Sequence, residues 1–110
     1  MAAANFETTV LGDRVVVSVV GEFDLSVRAE GTQVLTAAVD AAEGRQVIVD
    51  LSQVGFLDSS GIAALLAGMH AARRAGASYR LSGVRGRVER VLAVTGLLGL
   101  FTDEVDSAAA

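Results

Sequence analysis

The chain has 110 residues, with 9 Lys+Arg against 13 Asp+Glu, one His, no Cys, no Pro and a formal net charge of -4. That size suits one domain, because domains of about 100 to 150 residues are the commonest, and 52% hydrophobic with 20% charged residues argues against disorder. All nine basic residues are Arg, which excludes a P-loop lysine and a Schiff-base amine; the lack of Cys excludes disulfides, iron-sulfur clusters, thiolate zinc sites and a cysteine nucleophile.

Asn5 to Leu11 and Arg14 to Val20 are β-branched, apolar runs separated by Gly12-Asp13, the pattern of two strands in a tight hairpin. Gly21 is expected to close the second strand. From about Ser26 to Ala42, Val27, Val34, Leu35, Ala38 and Ala42 recur at helical spacing, with Asp24 or Ser26 available as an N-cap. Gly31 inside this helix costs about 1 kcal/mol relative to Ala, so the helix must lean on packing. After Gly44, the near-continuous apolar run Gln46 to Leu51 suits a central strand covered on both faces.

Asp58-Ser59-Ser60-Gly61 announces a second helix, in which Ile62, Leu65, Leu66 and Met69 fall at i, i+3, i+4 and i+7 and which Gly76 ends. Ser78 to Ser82 reads as a strand. Gly86 to Val94 reads as a short helix with Val88, Val91 and Leu92 inward and Gly96 as its C′ residue. Leu97 to Phe101 is an apolar patch expected as a further short strand, and Thr102 to Ala110 as a short terminal helix or tail. The expected fold is α/β, order ββαβαβα, a mixed four- to five-stranded sheet with packed helices and right-handed crossovers. It forms one domain over 1–110 with a core of about 5–101.

Met1 to Thr9 carries no Arg and contains Glu7, unlike a secretory signal. The longest apolar stretch, Gly61 to Met69, is far short of the roughly 20 residues that span a bilayer. A cytoplasmic protein without membrane insertion is expected. The acidic balance argues against direct nucleic-acid binding, where clustered positive charge supplies most of the affinity.

Ser59, Ser60 and His70 invite a hydrolase reading, but eleven residues of helix at about 1.5 Å each put His70 roughly 16 Å from Ser59, whereas a general base works within about 3 Å. The motif G-x-S-x-G is also absent. Asp24, Asp50 and Asp58 lack imidazole or thiolate support for a metal, and neither Gly83 to Gly86 nor Gly96 to Gly99 has dinucleotide-binding spacing. No catalytic residue, metal or cofactor is expected.

Val47 to Leu66 is the segment with chemical potential. A buried strand runs through a short loop into a helix whose first turn offers two hydroxyls, and a helix N-terminus exposes unpaired N–H groups and about half a positive charge. A phosphate attached there would be stabilised by the backbone; the alternative is that Asp58, Ser59 or Ser60 only caps the helix while Gly61 permits close approach. By helical phase Ser59 lies near the core-facing stripe and Ser60 near the opposite face, which favours Ser60 as the accessible hydroxyl.

The string DLSQVGFLDSSGIAALL, with GEFD at Gly21 to Asp24 upstream and TGLLGLF at Thr95 to Phe101 downstream, resembles the STAS domain of bacterial anti-sigma factor antagonists, and the resemblance covers nearly the whole chain. It implies that Ser59, the serine directly after Asp58, is phosphorylated by a partner anti-sigma factor that is also a serine kinase, with Ser60 as second choice. It further implies that Asp24, Asp58, Ser59, Ser60 and Gly61 form the partner surface. The unphosphorylated form would bind the anti-sigma factor and free the sigma factor, and a PP2C-type phosphatase would restore it. A STAS subunit docked permanently on a transporter or signalling complex, with Ser59 a mere cap, is the alternative. Direct nucleotide binding by the loop and helix terminus is a third reading.

Overall fold

Alternation along Arg14 to Val20 decides which face of the sheet carries the core: Val15, Val17 and Val19 are buried, whereas Val16 and Ser18 are half-buried and Val20 is exposed. In the computed structural model, which describes residues 4–100 and 105–107, β1 (Asn5–Leu11) and β2 (Arg14–Phe23) form the expected hairpin, with Leu11 opposite Arg14. Three further strands, β3 (Gln46–Leu57), β4 (Ser78–Val84) and the short β5 (Val105–Ser107), each join parallel to the strand before, giving a mixed sheet in the order β1-β2-β3-β4-β5.

The connections are α1 (Arg28–Ala42), α2 (Ser59–Ala75), and then α3 (Gly86–Val94) with the single turn α4 (Leu97–Leu100). The α1 and α2 helices pack on each other and against the sheet, and α3 rests against β3. Leu35 and Val39 of α1 and Leu65 and Met69 of α2 meet Val17, Val49 and Leu81 of the sheet in one contiguous buried cluster. Tyr79, 3% exposed, belongs to that cluster and donates its hydroxyl to the Leu65 carbonyl at 2.9 Å. Burial holds its phenol well above the ordinary tyrosine pKa.

Gly31 shows what its helix gains in return for the poor propensity. A Cβ there would stand 2.7 Å from Phe23 Cε1 and 3.2 Å from Phe6 Cζ, so only glycine lets α1 settle on the edge-to-face pair Phe6–Phe23, whose centroids are 5.4 Å apart.

Four expectations need correction. Gly21 does not close the second strand: β2 continues to Phe23, because β3 also runs on and pairs Phe23 with Leu57. Ile48 and Asp50 are only half-buried, so β3 is covered fully on one face, not two. Leu97–Leu100 is a helical turn rather than a strand, with Leu97 and Leu98 packed on the core cluster; Phe101 lies outside the described residues. In the expected terminal helix or tail, Val105–Ser107 instead forms β5, pairing with β4; the rest of that segment lies outside the described residues.

Candidate functional site

The strand extensions build the site. Beyond Asp50, β3 takes three steps to Gln53 while β2 takes two from Ser18 to Val20, and a second irregularity falls where Gly21 pairs Val54 but Glu22 pairs Phe56. Bulges of this kind increase twist and re-aim side chains. Here they deliver Phe23-Asp24 and Leu57-Asp58 side by side at the C-terminal ends of two parallel strands, where the Asp58 N–H donates to the Phe23 carbonyl at 3.4 Å.

Each aspartate then opens a helical turn. Asp24 Oδ1 accepts from Ser26 N at 3.0 Å and from Ser26 Oγ at 2.6 Å, capping a turn of 3₁₀ helix over Leu25–Val27. Asp58, in extended conformation, accepts from Ser60 N at 2.8 Å and Gly61 N at 3.2 Å through Oδ1, and its carbonyl accepts from Ile62 N at 3.0 Å. Gly61 seats this cap. A Cβ at Gly61 would lie 2.5 Å from both Leu57 Cδ1 and the Phe23 carbonyl oxygen, so the first turn of α2 touches the end of β2 only because the position is glycine.

Between the two caps lies an open depression of about 600 Å³ lined by Glu22, Asp24, Leu25, Ser26, Phe56 and Asp58. Its lining is largely apolar and includes three carboxylates, Glu22, Asp24 and Asp58. Leu25 is 70% and Phe56 41% exposed, which marks a surface suited to a partner that supplies both apolar and cationic groups.

The structure brings Asp24 and Asp58 to this depression, and Ser59, Ser60 and Gly61 follow directly on α2. Ser59 is exposed, and among the described residues its hydroxyl makes no hydrogen bond, while Ser60 is half-buried. The phase argument had the reverse order, because residues beside an extended cap do not follow the stripe set further along the helix. The backbone donors are also less free than the sequence suggested, since Asp58 already occupies the N–H groups of Ser60 and Gly61. Asp50 stands apart, accepting from Ser52 N at 2.9 Å, and His70 is exposed further along α2. Glu22, Leu25 and Phe56 were not singled out from sequence; Glu22 sits inside GEFD, but the two apolar residues look like core until the strand extensions are known.

The fold is thus a small mixed-sheet α/β module with an acidic, partly apolar site at the C-terminal ends of β2 and β3. The profile of the STAS domain matches residues 5–108, and the chain belongs to the STAS domain family. Among solved structures it is similar to an anti-sigma factor antagonist from Mycobacterium paratuberculosis (24% identity over 94% of this chain and 86% of that one, TM-score 0.81). It is similar to the anti-sigma factor antagonist SpoIIAA in its unphosphorylated form (20%, covering 94% and 88%, TM-score 0.76), and to the phosphorylated form of the Bacillus cell fate determinant SpoIIAA (21%, covering 96% and 91%, TM-score 0.70). A sulfate transporter family protein from Wolinella succinogenes also matches (23%, covering 92% and 83%, TM-score 0.72). At these identities the likeness is one of fold. Among the described residues no helix is long and apolar enough to cross a membrane.

Proposed function

We propose that this chain is a cytoplasmic anti-sigma factor antagonist whose unphosphorylated form binds an anti-sigma factor with serine kinase activity, and that phosphorylation of Ser59 switches the binding off. The observation that carries the reading is the exposed Ser59 hydroxyl, unbonded among the described residues and next in sequence to Asp58, which lines the depression with Glu22, Asp24 and Phe56. The partner brings ATP and the catalytic groups; this chain brings a hydroxyl and a surface. A PP2C-type phosphatase reverses the step.

Bulk and desolvation give the switch its direction. A phosphoserine adds roughly -1.5 to -2 charges at neutral pH. At Ser59 it meets an N-terminus where Asp58 already holds the N–H groups of Ser60 and Gly61, and it adds to the carboxylates around the depression. A partner surface fitted to the unmodified hydroxyl and the apolar lining then meets the bulk of the phosphate and the cost of desolvating a dianion, which must outweigh its attraction to cationic groups; a loss of about 3 kcal/mol weakens binding more than a hundredfold. The test is titration calorimetry with the cognate anti-sigma kinase. Ser59→Ala is expected to bind like wild type and Ser59→Asp to lose binding; equal affinity of both would overturn the switch.

The fold likeness to a sulfate transporter family protein favours a second reading, a STAS subunit held permanently in a membrane or signalling complex. Recovery from the native cell in such a complex, unaffected by Ser59→Asp, is its distinguishing result.

A further inference from the structure

We infer that β1 is a docking edge for a second copy of this chain, the two β1 strands pairing antiparallel about Thr8 to make one continuous sheet. Among the described residues, β1 at one margin of the sheet pairs with β2 alone. Folded proteins protect such edges with Pro, Lys, bulges or inward charges. This edge has none of these: its seven residues, NFETTVL, contain one charge, Glu7, and the β1–β2 register runs unbroken from Asn5 to Leu11. It is also apolar where it is open, with Val10 58% and Leu11 40% exposed.

The hydrogen-bond phase fixes which residues can bond across the edge. A two-residue turn closes on Leu11–Arg14 as a bonded pair, so by the alternation of an antiparallel ladder Leu11, Thr9, Glu7 and Asn5 direct their backbone groups to β2. Phe6, Thr8 and Val10 direct theirs to the free edge. A two-fold axis at Thr8 sets Thr8 against Thr8, Phe6 against Val10 and Val10 against Phe6, and every outward N–H and C=O finds a mate. All seven residues are then paired. Glu7 lies opposite Thr9 and Asn5 opposite Leu11 of the second copy, so no like charges face each other directly. Axes at Glu7 or Thr9 keep the bonding groups in phase but pair only five residues, the first with two carboxylates opposed, and axes at Phe6 or Val10 pair only three. Only the axis at Thr8 pairs the whole strand with its own copy, the self-complementary arrangement that an isologous interface requires.

Phe6 shares its face with the core, packing on Phe23, so the Phe6–Val10 pairs extend the helix-covered side of the sheet. Because the paired strands run antiparallel, the two depressions at the ends of β2 and β3 lie at opposite ends of the joint sheet. Both stay open, and the dimer is independent of Ser59.

Sedimentation equilibrium of the full chain between about 10 μM and about 1 mM tests this, with Thr8→Pro, Val10→Lys and Thr9→Pro beside wild type. The wild type is expected to dimerise. Thr8→Pro removes only an outward N–H, and Val10→Lys changes an exposed side chain, so both are expected to melt as wild type while their dimer dissociation constant rises at least about tenfold. Thr9→Pro removes a bond to β2 and is expected to lower the melting temperature. A wild type that is monomeric throughout, a dimer that survives both edge variants, or a Thr9→Pro protein as stable as Thr8→Pro would each overturn the proposal; so would an added extended peptide of another sequence binding β1 while the chain alone remains monomeric.

Discussion

Replacing Gly61 by Ala probes the contact on which the site depends. The new Cβ would stand 2.5 Å from Leu57 Cδ1 and 2.5 Å from the Phe23 carbonyl oxygen, whereas carbon atoms settle at roughly 3.5–4.0 Å. Neither neighbour yields cheaply: Leu57 is 3% exposed, and the Phe23 carbonyl belongs to a paired core strand and accepts from Asp58 N–H. Relief must come from α2 moving outward by about 1 Å, which breaks the Asp58-to-Phe23 bond and opens the angle between the two caps. Overpacking of this kind costs about 1–3 kcal/mol, against a helix-propensity gain for Ala of up to about 1 kcal/mol. The net expected loss is about 1–2 kcal/mol. With a urea m-value of about 1–3 kcal/mol/M, the unfolding midpoint should fall by roughly 0.5–1 M, read by circular dichroism because the chain has no Trp. Gly12→Ala is the control, since a Cβ there meets nothing within 4 Å. A Gly61→Ala midpoint at or above wild type would refute the packing argument.

Asp58→Ala should cost about 1 kcal/mol, because it uncaps Ser60 N and Gly61 N, while Asp58→Asn should retain most of that stability; equal losses for both would contradict the capping role. Tyr79 gives a clean alkaline test, because the chain has no Lys, no Cys and this single Tyr. Its folded-state pKa is raised by burial, so the folded state keeps the proton where the unfolded chain, titrating near about 10, gives it up. The stability from this group is therefore complete below pH 10 and declines above it, by about 1.4 kcal/mol at pH 11. Urea midpoints at about pH 9 and pH 11 should show that decline in wild type and not in Tyr79→Phe; an equal decline in both would contradict it.

Local chemistry was legible in the sequence where it is decided locally. The hairpin at Gly12-Asp13, a cap from Asp58, Ser59 or Ser60 and the α3 span Gly86–Val94 follow from turn residues, side-chain oxygen and apolar spacing, and the structure has all three, with Asp58 as the cap. The GEFD and DSSG strings were also legible as a pair, though not why they belong together. Their meeting depends on β2 and β3 running past Gly21 and Leu51, and strand length is set by pairing between distant segments rather than by either segment alone. Leu25 and Phe56 escaped for a related reason: an apolar side chain carries no mark of exposure until the neighbouring layers are placed. Gly31 looked like a helix defect and proves to be a point of close approach, and the close approach expected at Gly61 is present. The segment after Gly96 misled because a short apolar run fits a strand and a helical turn equally well.

The central claim is that the Ser59 hydroxyl receives the phosphate. Incubation of the full chain with the proposed anti-sigma kinase and ATP, followed by intact-mass measurement and peptide mapping, addresses it directly. A single added phosphate on Ser59, absent from Ser59→Ala, is the expected result; a phosphate found only on Ser60, or none on the wild-type chain, would contradict it.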